Sequence, residues 1–172
     1  MIGAMGISFS LVVGVDGSTS WANNSSGISN PADRADFLAR RAGFDCIIIG
    51  GNTARCEPYS KTPVPLVIIS RSDVNPVPEN PIAHVWRKSI GEAITQAKAR
   101  FGENIHIEGG ITLVNELLAA DAIDDLYLTI TPSVGGLNIF DWKSALKSFN
   151  HHTVSEIDGT TFYHAWRSEG GN

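Results

Sequence analysis

Cysteine is scarce in this chain. Only Cys46 and Cys56 occur among 172 residues, Cys46 inside an apolar stretch and Cys56 in a segment that reads as loop. Neither stands at metal-ligand spacing from another cysteine or a histidine, and two thiols make no disulfide framework. A reducing, cytoplasmic setting is therefore the default expectation. Cations are also few: 13 Lys and Arg against 18 Asp and Glu, a net charge of −5. Bulk attraction to nucleic acid is not expected, so any phosphate site must be local, built from N–H groups and single arginines. Long apolar runs are missing too, and none approaches the ~20 residues that span a bilayer. The mildly apolar start lacks a basic segment and Asp16 interrupts it, so no secretory leader is expected. Neither a GxGxxG fingerprint nor a Walker P-loop occurs, which disfavours a standard Rossmann domain. Repeats, low-complexity tracts and linkers are absent. Residues 1–172 read as one domain with room for a core.

What is present alternates strand and helix. Ser8 to Val15 reads as a first strand ended by Asp16-Gly17. A long Ser-, Asn- and Gly-rich loop, 18–30, follows; loops of that length often serve as lids. A helix begins at Pro31, capped by Asn30 and stopped by Gly43, with Phe37, Leu38 and Arg41-Ala42 as its apolar face. Phe44 to Ile49, Val64 to Ser70 and Ile82 to Trp86 read as strands. The first two are continuous apolar runs, as in parallel strands buried on both faces. Ile90, Ala93, Ile94, Ala97 and Phe101 recur at helical spacing. The strand Ile105–Ile107, the pair Gly109-Gly110 and a helix from Ile111 follow. Asp125 to Thr131 is another strand. Thr153–Ile157 and Thr160–Trp166 flank Asp158-Gly159, a strong two-residue hairpin signal. The pattern predicts an α/β sandwich with a mainly parallel sheet and a C-terminal antiparallel hairpin at one edge.

In such sheets ligands sit at the carboxyl ends of strands. That rule places Asp16-Gly17, Gly50-Gly51, Ser70-Arg71 and Gly109-Gly110 on one rim. Free N–H groups at a helix start, beside glycines that admit close approach, form an anion site. Two such turns, Gly50-Gly51-Asn52-Thr53 and Gly109-Gly110-Ile111-Thr112, point to a phosphate-bearing cofactor. Arg71 between two serines suits a phosphate monoester, which favours NADPH over NADH. Glu57 could act as an acid or a hydrogen-bond acceptor, or simply be a surface residue. Asp33 supports the helix start, which does not exclude substrate binding. Asp16 also suits a turn former. His151 and His164 come near each other in the hairpin register, but two histidines without a third ligand make a poor metal site, and no metal is expected.

The motifs resemble the reductase domain of riboflavin biosynthesis, the C-terminal half of bifunctional RibD proteins, which has a dihydrofolate-reductase-like fold. The resemblance runs through Val15-Asp16-Gly17, Gly27-Ile28-Ser29-Asn30-Pro31-Ala32-Asp33-Arg34, Gly50-Gly51-Asn52-Thr53-Ala54-Arg55, Glu57-Pro58-Tyr59, Glu108-Gly109-Gly110 and Leu118 to Gly136. The Pro-Ala-Asp-Arg and Thr-Ala-Arg-Cys-Glu-Pro-Tyr segments look most like a single-domain pyrimidine reductase branch. The resemblance implies a three-layer sandwich and an NADPH-dependent reductase of a ribosylaminopyrimidine phosphate. It implies that Gly50, Gly51, Asn52 and Thr53, with Glu108, Gly109, Gly110, Ile111, Thr112 and Leu113, hold the diphosphate and nearby ribose. Ser70 and Arg71 would meet the 2′-phosphate. Asp33 and Glu57 would be the catalytic carboxylates. Asp16, Ser29, Tyr59 and Lys61 would contact substrate. It further implies a homodimer, although the sequence displays no clear interface.

Two segments depart from the pattern. Gly14-Val15-Asp16-Gly17-Ser18 replaces the usual Ser-Leu-Asp-Gly-Arg/Lys. Cys56-Glu57-Pro58-Tyr59-Ser60-Lys61 is shorter than its counterpart, with Lys61 as the only nearby cation. A pyrimidine or pteridine without the family's phosphate is therefore also expected as a substrate class. Dihydrofolate reduction is the rival with the same fold. A non-catalytic nucleotide-binding protein is the rival of another class, and steady NADPH consumption with any small substrate would exclude it.

Overall fold

The computed structural model describes residues 6–168. Its centre is an eight-stranded sheet in the order β5-β4-β3-β6-β1-β7-β10-β9. The strands are β1 (Ile7–Gly14), β3 (Cys46–Gly50), β4 (Leu66–Ile69), β5 (Ala83–Trp86), β6 (Ile105–Glu108), β7 (Asp125–Thr131), β9 (His151–Ile157) and β10 (Thr160–Trp166). The first six in spatial order pair in parallel; β10 runs antiparallel to both β7 and β9. The expected mainly parallel sheet with a closing hairpin is therefore present. Asp158 and Gly159 both have positive φ, 50° and 75°, as a two-residue type I′ turn requires.

The two faces of the sheet differ in chemistry. On one, Phe9, Leu11, Val13, Ile48, Ile105, Ile107, Leu126 and Leu128 pack against α3 (Ile90–Phe101), α4 (Ile111–Ala119) and the short α5 (Trp142–Leu146). This is the main core, and α3 is held at its start by a Ser89–Glu92 capping box. The opposite face is apolar only under β3 and β4, where Ile47, Ile49, Leu66 and Ile68 meet Ala54 and Tyr59. Across β6, β1 and β7 it presents His106, Glu108, Ser8, Ser10, Tyr127 and Thr129 instead. That polar strip lies under α1 (Pro31–Arg41).

α1 starts as expected: Asn30 accepts the Asp33 N–H at 3.0 Å and Pro31 opens the first turn. Its inward face is not the expected one. Leu38 is 45 % exposed and Ala42 is exposed, whereas Asp33 and Arg41 are buried with Phe37 between them. A stride of four along one face carries charge inward because the strip beneath is polar, and Glu108 there needs a counter-charge.

Two further expectations are corrected, and one segment adds elements that were not expected. The 18–30 segment is not wholly loop: β2 (Ser18–Ser20) pairs with β8 (Leu137–Ile139) in a small second sheet, which pins its start. The Gly50–Thr53 turn is the beginning of a helix, α2 (Gly51–Cys56), so Cys56 ends a helix rather than lying in a loop. The segment after Gly136 supplies β8 and α5, for which no expectation existed. No helix among the described residues is long and apolar enough to cross a membrane.

Candidate functional site

A groove of about 930 Å³ opens along the carboxyl ends of the parallel strands. One wall comes from β3–α2 and β6–α4, and includes Gly50, Gly51, Asn52, Thr53, Gly109, Gly110, Ile111, Thr112 and Leu113. The other comes from α1 and the 19–29 segment, with Asn23, Asn24, Ser25, Ser29, Asp33 and Arg34. The polar strip of the sheet, with Ser10, Tyr127 and Thr129, forms its floor.

The glycine wall has the features of an anion cradle. α4 begins at Gly110 with no side chain capping it, so its leading N–H groups lack a side-chain partner. Gly109 takes φ +157°, a conformation side chains oppose. A Cβ at Gly110 would meet nothing within 4 Å, which leaves open space in front of the helix start. Arg71 lines the same groove just beyond the end of β4. Uncapped helix N–H groups, glycines and an arginine fit a diphosphate and a phosphate monoester.

Beneath the glycines lies a buried charge cluster. Glu108, the last residue of β6, is 1 % exposed and Arg41 is 3 % exposed. Arg41 donates from Nε and Nη2 to the two Glu108 oxygens at 2.9 and 2.7 Å. Tyr59 Oη donates to Glu108 Oε2 at 2.7 Å. The guanidinium lies over the rings of Phe37 and Tyr59, 4.3 and 4.9 Å from their centroids. Burial raises the Tyr59 pKa well above its usual value, and the Glu108 charge raises it further, so its hydroxyl stays a donor. Arg41 is fixed as a cation: burial opposes its charge, and Glu108 more than compensates. Glu108 and Tyr59 were expected to meet cofactor and substrate directly. Both border the groove; within it Glu108 bonds to Arg41 and to the Tyr59 hydroxyl, and the cluster ties α1, the loop after α2 and the glycine turn together.

Asp33 is a second buried carboxyl on the groove, on the α1 wall. It is 7 % exposed, and Ser29 Oγ donates to it at 2.5 Å. Burial raises its pKa above the ordinary 3.8, with hydrogen bonds from Ser29 and Thr129 and the Arg40 charge partly opposing. Glu57 also lines the groove, and its Oε1 accepts the Ser25 N–H at 2.6 Å, which latches the 19–29 wall to the segment after α2.

Three expected contacts lie outside the groove lining. Asp16 Oδ1 accepts from the Ser18 N–H and hydroxyl, and its Oδ2 accepts from the Gly135 N–H. It is a turn former, because β2 must reverse immediately after β1. Ser70 Oγ accepts the Ser72 N–H and so shapes the turn that carries Arg71. Lys61 is exposed and does not border the groove. Conversely, the sequence reading missed Arg40, which donates to Ser10 Oγ, pairs with Asp36 and lies over Tyr127 at 4.3 Å. It also missed the inward role of Arg41. Both were legible in principle, since His106 and Glu108 alternate with isoleucines along one strand and α1 has charge at a stride of four.

His106 lies buried in the same polar strip of the sheet, outside the groove lining. It stacks on Phe44 with centroids 4.1 Å apart, and its Nδ1 lies 2.6 Å from Ser8 Oγ. Burial, then the Arg40 and Arg41 charges, hold its pKa well below 6.5. The ring is thus neutral, and its 3.9 Å approach to Glu108 is not an ion pair. The unfolded chain takes up this proton near 6.5 and the folded one does not. Stability is therefore fully present above that pH and falls as pH drops below it. Urea midpoints are expected to fall from about pH 7 to about pH 5, and less steeply in His106→Gln. The hairpin histidines are occupied separately: His164 Nε2 lies 2.6 Å from Asp125 and His151 stacks on Trp166. Among the described residues no three His, Cys, Asp or Glu side chains gather as a metal site would need.

Comparison with known proteins bears on the family and the fold. The model of the RibD C-terminal domain matches residues 7–147. No match to a curated protein reaches significance. Among solved structures, Acinetobacter baumannii RibD superposes with a TM-score of 0.69 at 16 % identity, over 95 % of this chain and 58 % of that one. The Thermotoga maritima diaminohydroxyphosphoribosylaminopyrimidine deaminase/5-amino-6-(5-phosphoribosylamino)uracil reductase gives 0.66 at 12 %, over 95 % and 56 %. A pyrimidine reductase-like protein of Corynebacterium diphtheriae gives 0.66 at 16 %, over 98 % and 94 %. The chain spans little more than half the length of the two bifunctional-type relatives. At these identities the likeness establishes a shared dihydrofolate-reductase-like fold.

Proposed function

The chain belongs to the RibD C-terminal domain family, and we propose that it is an NADPH-dependent reductase of a pyrimidine-type substrate, working as a homodimer. The observation that carries this reading is one groove with an uncapped glycine-led helix start on one wall and a buried carboxyl, Asp33, on the other. NADPH would supply the hydride. Gly50 to Thr53 and Gly109 to Leu113 would hold its diphosphate and ribose, and Arg71 its 2′-phosphate. The substrate is read as a ribosylaminopyrimidine whose sugar, in open imine-like form, accepts hydride at C1′.

The protein's own work is alignment and proton supply. Asp33, with its raised pKa, is suited to deliver a proton to the neighbouring nitrogen or to hold the substrate's N–H groups. Ser29 orients Asp33. Glu57 holds the 19–29 wall over the substrate half through Ser25. Glu108 and Tyr59 act through Arg41 on the shape of the floor. With Lys61 outside the lining, Arg34 is the exposed lining cation on the α1 wall available to a substrate anion. That favours keeping dihydropterin reduction as the second reading, because such a ring needs a carboxylate more than a cation.

The cofactor assignment is tested by fluorescence titration of NADPH and NADH. Arg71→Ala is expected to weaken NADPH about 10- to 100-fold and leave NADH unchanged, as for loss of charge-assisted hydrogen bonds. Equal affinity for both nucleotides, insensitive to the substitution, would overturn it. Turnover of a ribosylaminopyrimidine phosphate against dihydrofolate, followed as NADPH absorbance loss, separates the two substrate readings.

A further inference from the structure

Arg55 stands in the last turn of α2 and is exposed. Among the described residues its guanidinium enters no ion pair, unlike Arg40, Arg41, Arg87 and Arg167. A glycine nevertheless fixes its place. Arg55 follows Gly51 by four residues, so the two share one helix face, and a long helical side chain leans back toward the helix start. A Cβ at Gly51 would lie 3.2 Å from Arg55 Nη1, 3.2 Å from Ser70 Oγ and 3.3 Å from Ser70 Cβ. The guanidinium therefore lies over Gly51 and reaches the residue just past the end of β4. β3 and β4 are neighbours, with Gly50 opposite Ile69, which brings the start of α2 and the turn after β4 together.

That turn carries a second arginine. Ser70 Oγ accepts the Ser72 N–H, and Arg71 between them lines the groove. Two guanidinium groups thus converge on Ser70, one over its side chain and one on the next residue. Two like charges at one corner repel, and the carboxylate two residues on, Asp73, pairs with Arg87 at 3.6 Å. A phosphate monoester, with nearly two negative charges and three acceptor oxygens, is the group that such a pair suits. A diphosphate carries one charge per phosphorus and has the glycine turns.

We propose that Arg55 is a second arginine of the 2′-phosphate site and sets the preference for NADPH over NADH together with Arg71. The inference rests on the NADPH reading and extends it to a residue outside the groove lining. An arginine that only favours a helix C-terminus moves stability and leaves the ratio of the two nucleotide affinities alone.

The test is fluorescence titration of NADPH and NADH with the full chain, its Arg55→Gln and Arg71→Ala variants and the double variant. Arg55→Gln is expected to weaken NADPH about tenfold and leave NADH within about twofold, as for loss of a charge-assisted hydrogen bond. The double variant is expected to bring the NADPH dissociation constant within about threefold of that for NADH. Circular dichroism verifies each fold. Arg55→Lys keeps the charge but not the fork, so it is expected to fall between Arg55→Gln and wild type, and it decides if Arg55→Gln misfolds. A wild type that binds both nucleotides alike overturns the NADPH reading and this inference together. A wild type whose preference for NADPH is cut by Arg71→Ala and untouched by Arg55→Gln overturns the inference alone. So does equal weakening of NADPH and NADH, which places Arg55 at the diphosphate.

Discussion

Arg41→Ala is expected to destabilise the protein by about 3–5 kcal/mol, the range for removing one partner of a buried ion pair. The reason lies in what remains. Glu108 is 1 % exposed and would keep its Tyr59 bond but lose both bonds from Arg41. A buried carboxylate with one donor must ionise at great cost or take up a proton. The guanidinium also fills the space between Phe37 and Tyr59, so the substitution leaves a cavity there. Urea unfolding measures the loss. The substitution is also expected to weaken cofactor binding, because Glu108 leads directly into Gly109 and Gly110. Tyr59→Phe is the calibrating variant: it deletes one hydrogen bond and leaves the ion pair, so its cost should be about 1–3 kcal/mol. If Arg41→Ala costs no more than Tyr59→Phe, the ion pair is not what holds the floor.

Asp33→Asn is expected to lower turnover by about 10²–10⁴-fold, the usual worth of a positioned acid or base. NADPH affinity should stay within about twofold, since Asp33 lies on the opposite wall from the glycines and sites without shared partners usually couple by less than about 0.5 kcal/mol. Asparagine retains the backbone N–H that Asn30 caps, so the helix start survives. Its stability effect has a defined sign. The Asp33 pKa is raised on folding, chiefly by burial, so the folded state binds the proton more tightly. The contribution is fully present below 3.8 and is lost as pH rises through the folded value. Asparagine abolishes that dependence, and the variant should gain relative to wild type as pH rises. The proton-supply role fails if turnover with saturating cofactor is unchanged in a variant that folds normally.

The parallel strands were legible because Cys46–Ile49 and Leu66–Ile69 are continuous apolar runs, and continuity is what burial on two faces demands. The glycine turn before α4 and the Asp158-Gly159 hairpin were legible because only particular residues tolerate those backbones. A local rule placed Asp33 in the first turn of a helix, while its expected site role came from the family resemblance. Arg41 was misread by the same local logic, which counted apolar neighbours and missed that the facing strip was polar. β8 was missed because three exposed residues, Leu137–Ile139, carry no period of their own; their partner is Ser18–Ser20, more than a hundred residues away.

Local chemistry therefore determined the element types, the carboxyl-end rim and the glycine turns, since each depends on residues adjacent in the chain. Tertiary structure alone decided which polar groups remain free for a ligand. Asp16 and Ser70 spend theirs on turns, while Glu108 spends its on Arg41 and on the Tyr59 hydroxyl. Asp33 keeps a face toward the groove. Whether a carboxylate is bound or available depends on donors brought to it from distant strands and helices, and no spacing along the chain encodes that.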